Sequence, residues 1–182
     1  MARLPYLDPH DLPTEHRDLL DRNINLMRAL THSPDCTRAF KGLAMYIRHG
    51  SPLDGRLREL AILQVGYIAR APYEWSHHIR ISRSFGVTDD DIKALIDETE
   101  GRSTSLDDGA KAVLRGAREM MADGLSDETH AALTTILDPP DLVDLLVTIA
   151  VYIGVVSLLD ALKIDVEPDY ESELEAFPLP EA

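Results

Sequence analysis

Residues 145–159, LLVTIAVYIGVVSLL, carry no charge and lie between Asp144 and Asp160. A membrane-crossing helix needs about 20 apolar residues, so this run falls short of a span. Left in water, an apolar surface of that extent would be an aggregation hazard, so the segment must be covered by its own core or by a second subunit. Asp138, Pro139 and Pro140 precede it as an N-cap and first turn, which makes DLVDLLVTIAVYIGVVSLLDALKI a long helix.

The rest of the chain reads the same way. Thr14 is placed to cap a helix carrying Leu19, Leu20, Ile24, Met27 and Leu30 at helical spacing, and Ser33 with Pro34 opens a second helix that should stop by Gly50. Asp54 caps a third, RLRELAILQVGYIARA, which turns apolar on nearly every side from Leu60 onward. Pro72 starts a fourth, ended by Gly86, and Thr88 opens a short fifth with an acidic first turn. Ser105 and Gly124 bracket a sixth helix, and Ser126 begins a seventh. With only 5% aromatic residues and no strand pattern, an all-α bundle is expected.

At 182 residues, the chain suits a single domain, with a Pro-rich lead-in over 1–13 and an acidic tail over 166–182 expected to be an extended or loosely held arm. The net charge of −14, with its basic residues dispersed, disfavours nucleic acid and anionic membranes as partners. A lone Cys36 excludes an intrachain disulfide and a two-thiol redox centre, and is expected to be buried and inert. Charges throughout the first thirty residues leave no secretory leader pattern, so a cytoplasmic location is expected.

Chemistry concentrates between Arg56 and Gly86. Glu74 and His78, four apart on the fourth helix, stack a carboxylate and an imidazole on one face, either as a proton-exchanging pair or as an ordinary surface pair. Glu59 begins a helix that becomes wholly apolar, so it either meets solvent at the helix end or enters a polar pocket, where burial would keep it neutral as a general acid requires. Adjacent His77 and His78 diverge, and the spacing lacks a His-Glu-x-x-His pattern, so no metal site is expected. Trp75 reads as a packing residue.

The stretch RLRELAILQVGYIARAPYEWSHHIRISRSFGVTDDDIKAL resembles the core of the carboxymuconolactone decarboxylase family, which includes AhpD-like alkylhydroperoxidases, and YIGVVSLLDAL resembles the family's C-terminal core helix with Asp160 where many members have Asn. The resemblance implies an AhpD-like helical subunit of a homotrimer or homohexamer. In AhpD-like members the Glu is followed by a Cys-x-x-Cys pair and a His; counted from Glu59, those places hold Ala71, Glu74 and His78. Both thiols are gone, which counts against thiol-based peroxide chemistry.

Glu-x-x-x-His instead resembles the decarboxylase branch, which implies a cofactor-independent lyase acting on a small unsaturated carboxylated lactone such as 4-carboxymuconolactone. Glu59, Glu74 and His78 are the expected catalytic residues: His78 as proton donor or oxyanion partner, Glu74 orienting it or exchanging protons, and Glu59 held neutral. Arg56, Tyr67, Tyr73 and His77 are candidate substrate contacts. Arg58, Arg80 and Arg83 are further sources of positive charge, and Tyr152 is a further lining residue. Another isomerase, hydrolase or lyase reaction, or a non-catalytic oligomer on the same scaffold, remains open.

Overall fold

The computed structural model describes residues 2–180, among which there are helices and turns and no strand. The α-helices run α1 Asn25–Leu30, α2 Pro34–Met45, α3 Gly55–Ile68, α4 Pro72–Arg83, α5 Asp89–Thr99, α6 Asp108–Ala122, α7 Asp127–Thr134, α8 Pro139–Leu162 and α9 Glu171–Ala176. A π-helical turn, Tyr46–Gly50, extends α2. Capping follows the sequence closely: Asp54, Thr88, Ser126 and Asp138 each accept a hydrogen bond from the backbone N–H three residues on. The sixth helix is capped by Asp107 rather than by Ser105.

Helix α3 lies at the centre because residues 58–67 are all buried, and it packs against α4, α6 and α8. A three-residue connection folds α4 back antiparallel along α3. The approach is close enough that a Cβ at Gly66 would sit 3.3 Å from the backbone nitrogen of Trp75, so glycine there sets the spacing of the two helices. On one side of α3, Ile62, Val65, Val113, Leu133, Leu145 and Ile149 form a core shared with α6, α7 and α8. On the other, Leu60, Leu63, Trp75, Ile79, Leu95 and Leu114 form a second core. Helix α8 is long and apolar enough to cross a membrane by length and composition, with a mean hydropathy of 2.5 over its best window. Here its inner face is spent on α3, while Val143 and Val147 remain exposed.

Two segments differ from expectation. The helix expected from Thr14 through Leu30 is broken: a 3-10 turn covers Thr14–Leu20, and α1 starts only at Asn25. The intervening Asp-Arg-Asn run favours turns over helix, and the Glu167 carboxylate accepts from the Asn25 N–H at 2.6 Å, capping α1 from the far end of the chain. The tail is not a loose arm either. A 3-10 turn, Pro168–Tyr170, leads into α9, which packs on α4. Phe177 is 5% exposed, and its carbonyl accepts the Trp75 indole N–H at 2.8 Å. Apolar burial and a satisfied buried donor therefore outweigh the tail's acidic composition.

Truncating Phe177 to Ala should lower stability by about 3 kcal/mol, the usual cost of a buried aromatic side chain. Denaturant unfolding measures it, and because Trp75 is the sole tryptophan, its emission should shift to longer wavelength as the tail loosens. An unchanged midpoint and an unchanged emission would show the tail to be energetically idle.

Candidate active site

The antiparallel register of α3 and α4 brings Glu59 opposite His78, nineteen positions away in sequence. The Glu59 carboxylate lies 2.7 Å from His78 Nδ1, and Glu74, one turn earlier on α4, lies 3.0 Å from Nε2. All three side chains are at least nine-tenths buried. With a carboxylate on each nitrogen, only the imidazolium can donate both hydrogen bonds. Burial pushes His78 down, but the two carboxylates outweigh it and bring the group up to about 9.

Glu59 is not the neutral acid the sequence suggested. Burial raises its pKa, but the His78 charge and hydrogen bond, with Arg58 and Arg48, more than offset this and hold the carboxyl below its ordinary range. Arg58 is itself buried beside Glu59, at 3.3 Å, with its guanidinium over the Phe85 ring. The two carboxylates sit on opposite sides of the imidazole ring, so the triad does not converge on one point as a chelating set would.

Glu74 and His78 face a cavity of about 120 Å³ between α1, α2, the π-turn, α4 and α8. Space of that size suits a molecule of roughly ten heavy atoms. Its walls are apolar, with Leu26, Met27, Phe40, Val151 and Val155, and the Tyr152 ring stands edge-on to His78 at 5.0 Å. Glu59 lies behind His78, outside the lining. Tyr73 and His77 do reach the cavity. His77 is stacked between Tyr73 and Tyr170, at 4.1 and 3.7 Å, and its Nε2 meets Glu167 at 2.7 Å.

Several expected substrate contacts lie elsewhere. Arg56 does not line the cavity: Asp91 and Asp107 hold its guanidinium at 2.5 and 2.9 Å. Tyr67 donates to Glu100 at 2.7 Å and packs on Trp75, also away from the cavity. Arg80 and Arg83 bind Glu173 of the tail. Positive charge reaches the cavity instead from Arg22, Lys41 and Arg48, which sequence reasoning passed over. None has a motif, and the π-turn that positions Arg48 leaves no periodic trace. Cys36 is exposed on α2, not buried.

The two shifts have opposite consequences for stability. Because His78 is raised from 6.5 to about 9, its contribution is full below about pH 6.5 and is lost as the pH rises through about 9. Glu59 is lowered from 4.5, so its contribution is present above about pH 4.5 and lost as the pH falls through its folded value. Urea unfolding across this range should show both arms, with the alkaline arm reduced in His78→Gln. Equal alkaline losses in wild type and variant would refute the assignment of that arm to His78.

Residues 34–119 match the model of the carboxymuconolactone decarboxylase family. No curated protein matches the chain. Among solved structures, a cysteine-to-alanine variant of the debrominase Bmp8 in complex with 2,3,4-tribromopyrrole is similar, at TM-score 0.79 and 17% identity over 96% of this chain and 98% of that one. The AhpD core of an uncharacterized peroxidase-related protein from Ralstonia eutropha JMP134 gives 0.78 and 16% identity over 99% and 98%. A protein of unknown function from Agrobacterium tumefaciens, described as a putative antioxidant defence protein AhpD, gives 0.67 and 18% over 76% and 94%. The fold is thus AhpD-like, and Glu59, Glu74 and His78 all lie within the stretch that matches the carboxymuconolactone decarboxylase family model.

Proposed function

We propose that this protein is a cytoplasmic, cofactor-independent carboxy-lyase acting by acid–base chemistry on a small unsaturated carboxylated lactone such as 4-carboxymuconolactone. The observation that carries the reading is the His78 imidazolium held between Glu59 and Glu74 at a small apolar cavity, with Ala71 and Glu74 where AhpD-like members carry thiols. The debrominase neighbour, solved with 2,3,4-tribromopyrrole, is a precedent on this fold for a small ring compound.

In the proposed reaction, the bond between the substrate's ring carbon and its carboxylate breaks and carbon dioxide leaves. The electron pair passes into the conjugated lactone carbonyl, giving a dienolate. The His78 charge stabilises the dienolate as it forms. A proton then passes from the Glu74–His78 pair to carbon, and solvent restores it. Glu59, outside the lining, is a positioning residue that fixes the imidazole ring and holds its charge.

Purified protein incubated with 4-carboxymuconolactone should release carbon dioxide. His78→Ala and Glu59→Gln should each lower kcat by about a hundredfold or more, the usual contribution of a positioned proton donor. Absence of turnover across a panel of carboxylated lactones would refute the reading, as would thiol-dependent peroxide reduction at a comparable rate.

A homotrimer or homohexamer is part of the same proposal. Val143 and Val147, one turn apart on α8, are exposed, and the exposed Tyr46 hydrogen-bonds Asp144 between them. Exposed Leu43 and Met45 extend the apolar surface along α2. Light scattering after size exclusion should give three or six times the 20.2 kDa chain mass, and Val147→Asp should reduce it. A wild-type monomer at micromolar concentration would refute this part.

A further inference from the structure

Arg48 sits on the π-turn that follows α2, a local geometry often found at functional sites. The turn is kept open by Gly50, where a Cβ would stand 2.8 Å from the Tyr46 ring. Arg48 lines the cavity beside Tyr152, on the same cavity as Glu74 and His78, and its Nε is buried without a hydrogen-bond partner. A buried guanidinium nitrogen left unpaired is costly, and such a group is ordinarily satisfied by an acceptor.

The charges around the triad point the same way. Glu59 and Glu74 face three cations, His78, Arg58 and Arg48. His78 is taken up by both carboxylates and Arg58 by Glu59, whereas Arg48, whose field reaches Glu59, makes no ion pair among the described residues, which leaves three cations against two carboxylates. Two more cations stand on the lining. Lys41 is tied to the carbonyl of Asp18 and pairs with Asp21 at 3.5 Å, and Arg22 has no ion-pair partner among the described residues. In a chain of net charge −14, this is a local positive field, and a cavity with low-dielectric walls focuses it.

We infer that Arg48 is the specificity-determining residue of the cavity, binding a carboxylate of the ligand through its guanidinium while the apolar walls take the ligand's uncharged ring. Resting on the lyase reading for the ring's identity, the inference fixes where the anion goes: beside His78 and Tyr152, with Arg22 drawing it in. Arg56, Arg80 and Arg83 are committed to carboxylates of the protein itself and are not available for this role.

Calorimetric titration of the full chain with γ-carboxy-γ-butyrolactone, a saturated lactone acid that cannot form the dienolate, and with its methyl ester tests the inference. The acid should bind about tenfold or more tightly than the ester, the difference expected for a charge-assisted hydrogen bond. Arg48→Met should abolish that preference, and Arg48→Lys should retain part of it, since a lysine supplies charge without the planar fork. Trp75 emission and circular dichroism identify variants that fold. Should Arg48→Met not fold, Arg48→Lys and the wild-type acid-to-ester ratio decide.

Equal binding of acid and ester by the wild type, including no binding of either, overturns the inference. So does wild-type affinity for the acid in a folded Arg48→Met protein. Failure of the lyase reading looks different: no lactone is turned over, yet the acid still binds through Arg48. Turnover that persists in Arg48→Met with unchanged KM removes the role of Arg48 and leaves the lyase reading intact.

Discussion

A positive imidazole ring closed between two buried carboxylates is the interaction on which the arrangement of α3 and α4 turns. Placing three ionisable groups in a core carries a large desolvation cost, recovered only if the geometry of each contact is good. At His78 both nitrogens are engaged, at 2.7 and 3.0 Å, and Arg58 takes the remaining Glu59 oxygen. Sliding α4 along α3 by a single residue would move the imidazole about 1.5 Å along the helix axis and break these contacts. The register is fixed from both ends, by Pro72 at the first turn of α4 and by the close passage of Gly66 against Trp75. Removing one partner would therefore leave a buried charge uncompensated as well as lose a contact, which is why such triads resist piecemeal change.

The tail is joined to this arrangement through the opposite face of α4. Glu167 accepts from His77, from the Tyr73 hydroxyl and from the Asn25 N–H, so a single carboxylate ties α4 to the start of α1. Tyr170 completes a three-ring stack over His77, and Glu173 gathers Arg80 and Arg83. Two members of the stack, Tyr73 and His77, line the same cavity as His78, because adjacent helical residues diverge and His77 thereby reaches the α1 side. The acidic composition of residues 166–182 is thus a complement to the basic outer face of α4 rather than a mark of disorder.

Local rules account for what could be read in advance. Caps at Asp54, Thr88, Ser126 and Asp138, and Pro at the starts of α4 and α8, depend on a few adjacent residues and were legible for that reason. The Glu74–His78 pair follows from helical spacing alone. Contacts between distant segments were not legible. The break before Asn25 is stabilised by a carboxylate more than a hundred residues away, and the docking of the tail depends on an indole in α4. Glu59, which the sequence left between a solvent-facing helix end and a buried pocket, is buried but charged, since besides the neighbouring Arg58 the compensating cations come from α4 and the π-turn. Arg48 was missed for the same reason: nothing next to it in sequence announces a cavity.

The carboxylate at position 74 has a chemical consequence on the same geometry. Electron transfer to a peroxide needs a sulfur that can be attacked and a second that resolves it, and Ala71 and Glu74 provide neither. A carboxylate 3.0 Å from Nε2 does offer a short path for a proton between His78 and the cavity, while Glu59 keeps the ring oriented from behind. On the proposed reading the scaffold moves protons through His78, provided that the Glu74 carboxylate is matched by enough positive charge. Arg58 and His78 balance the two carboxylates. On the proposed reading, Arg48 is the further cation that an anionic ligand meets, so the carboxylate at position 74 and the ligand-binding residue are coupled through one local charge balance.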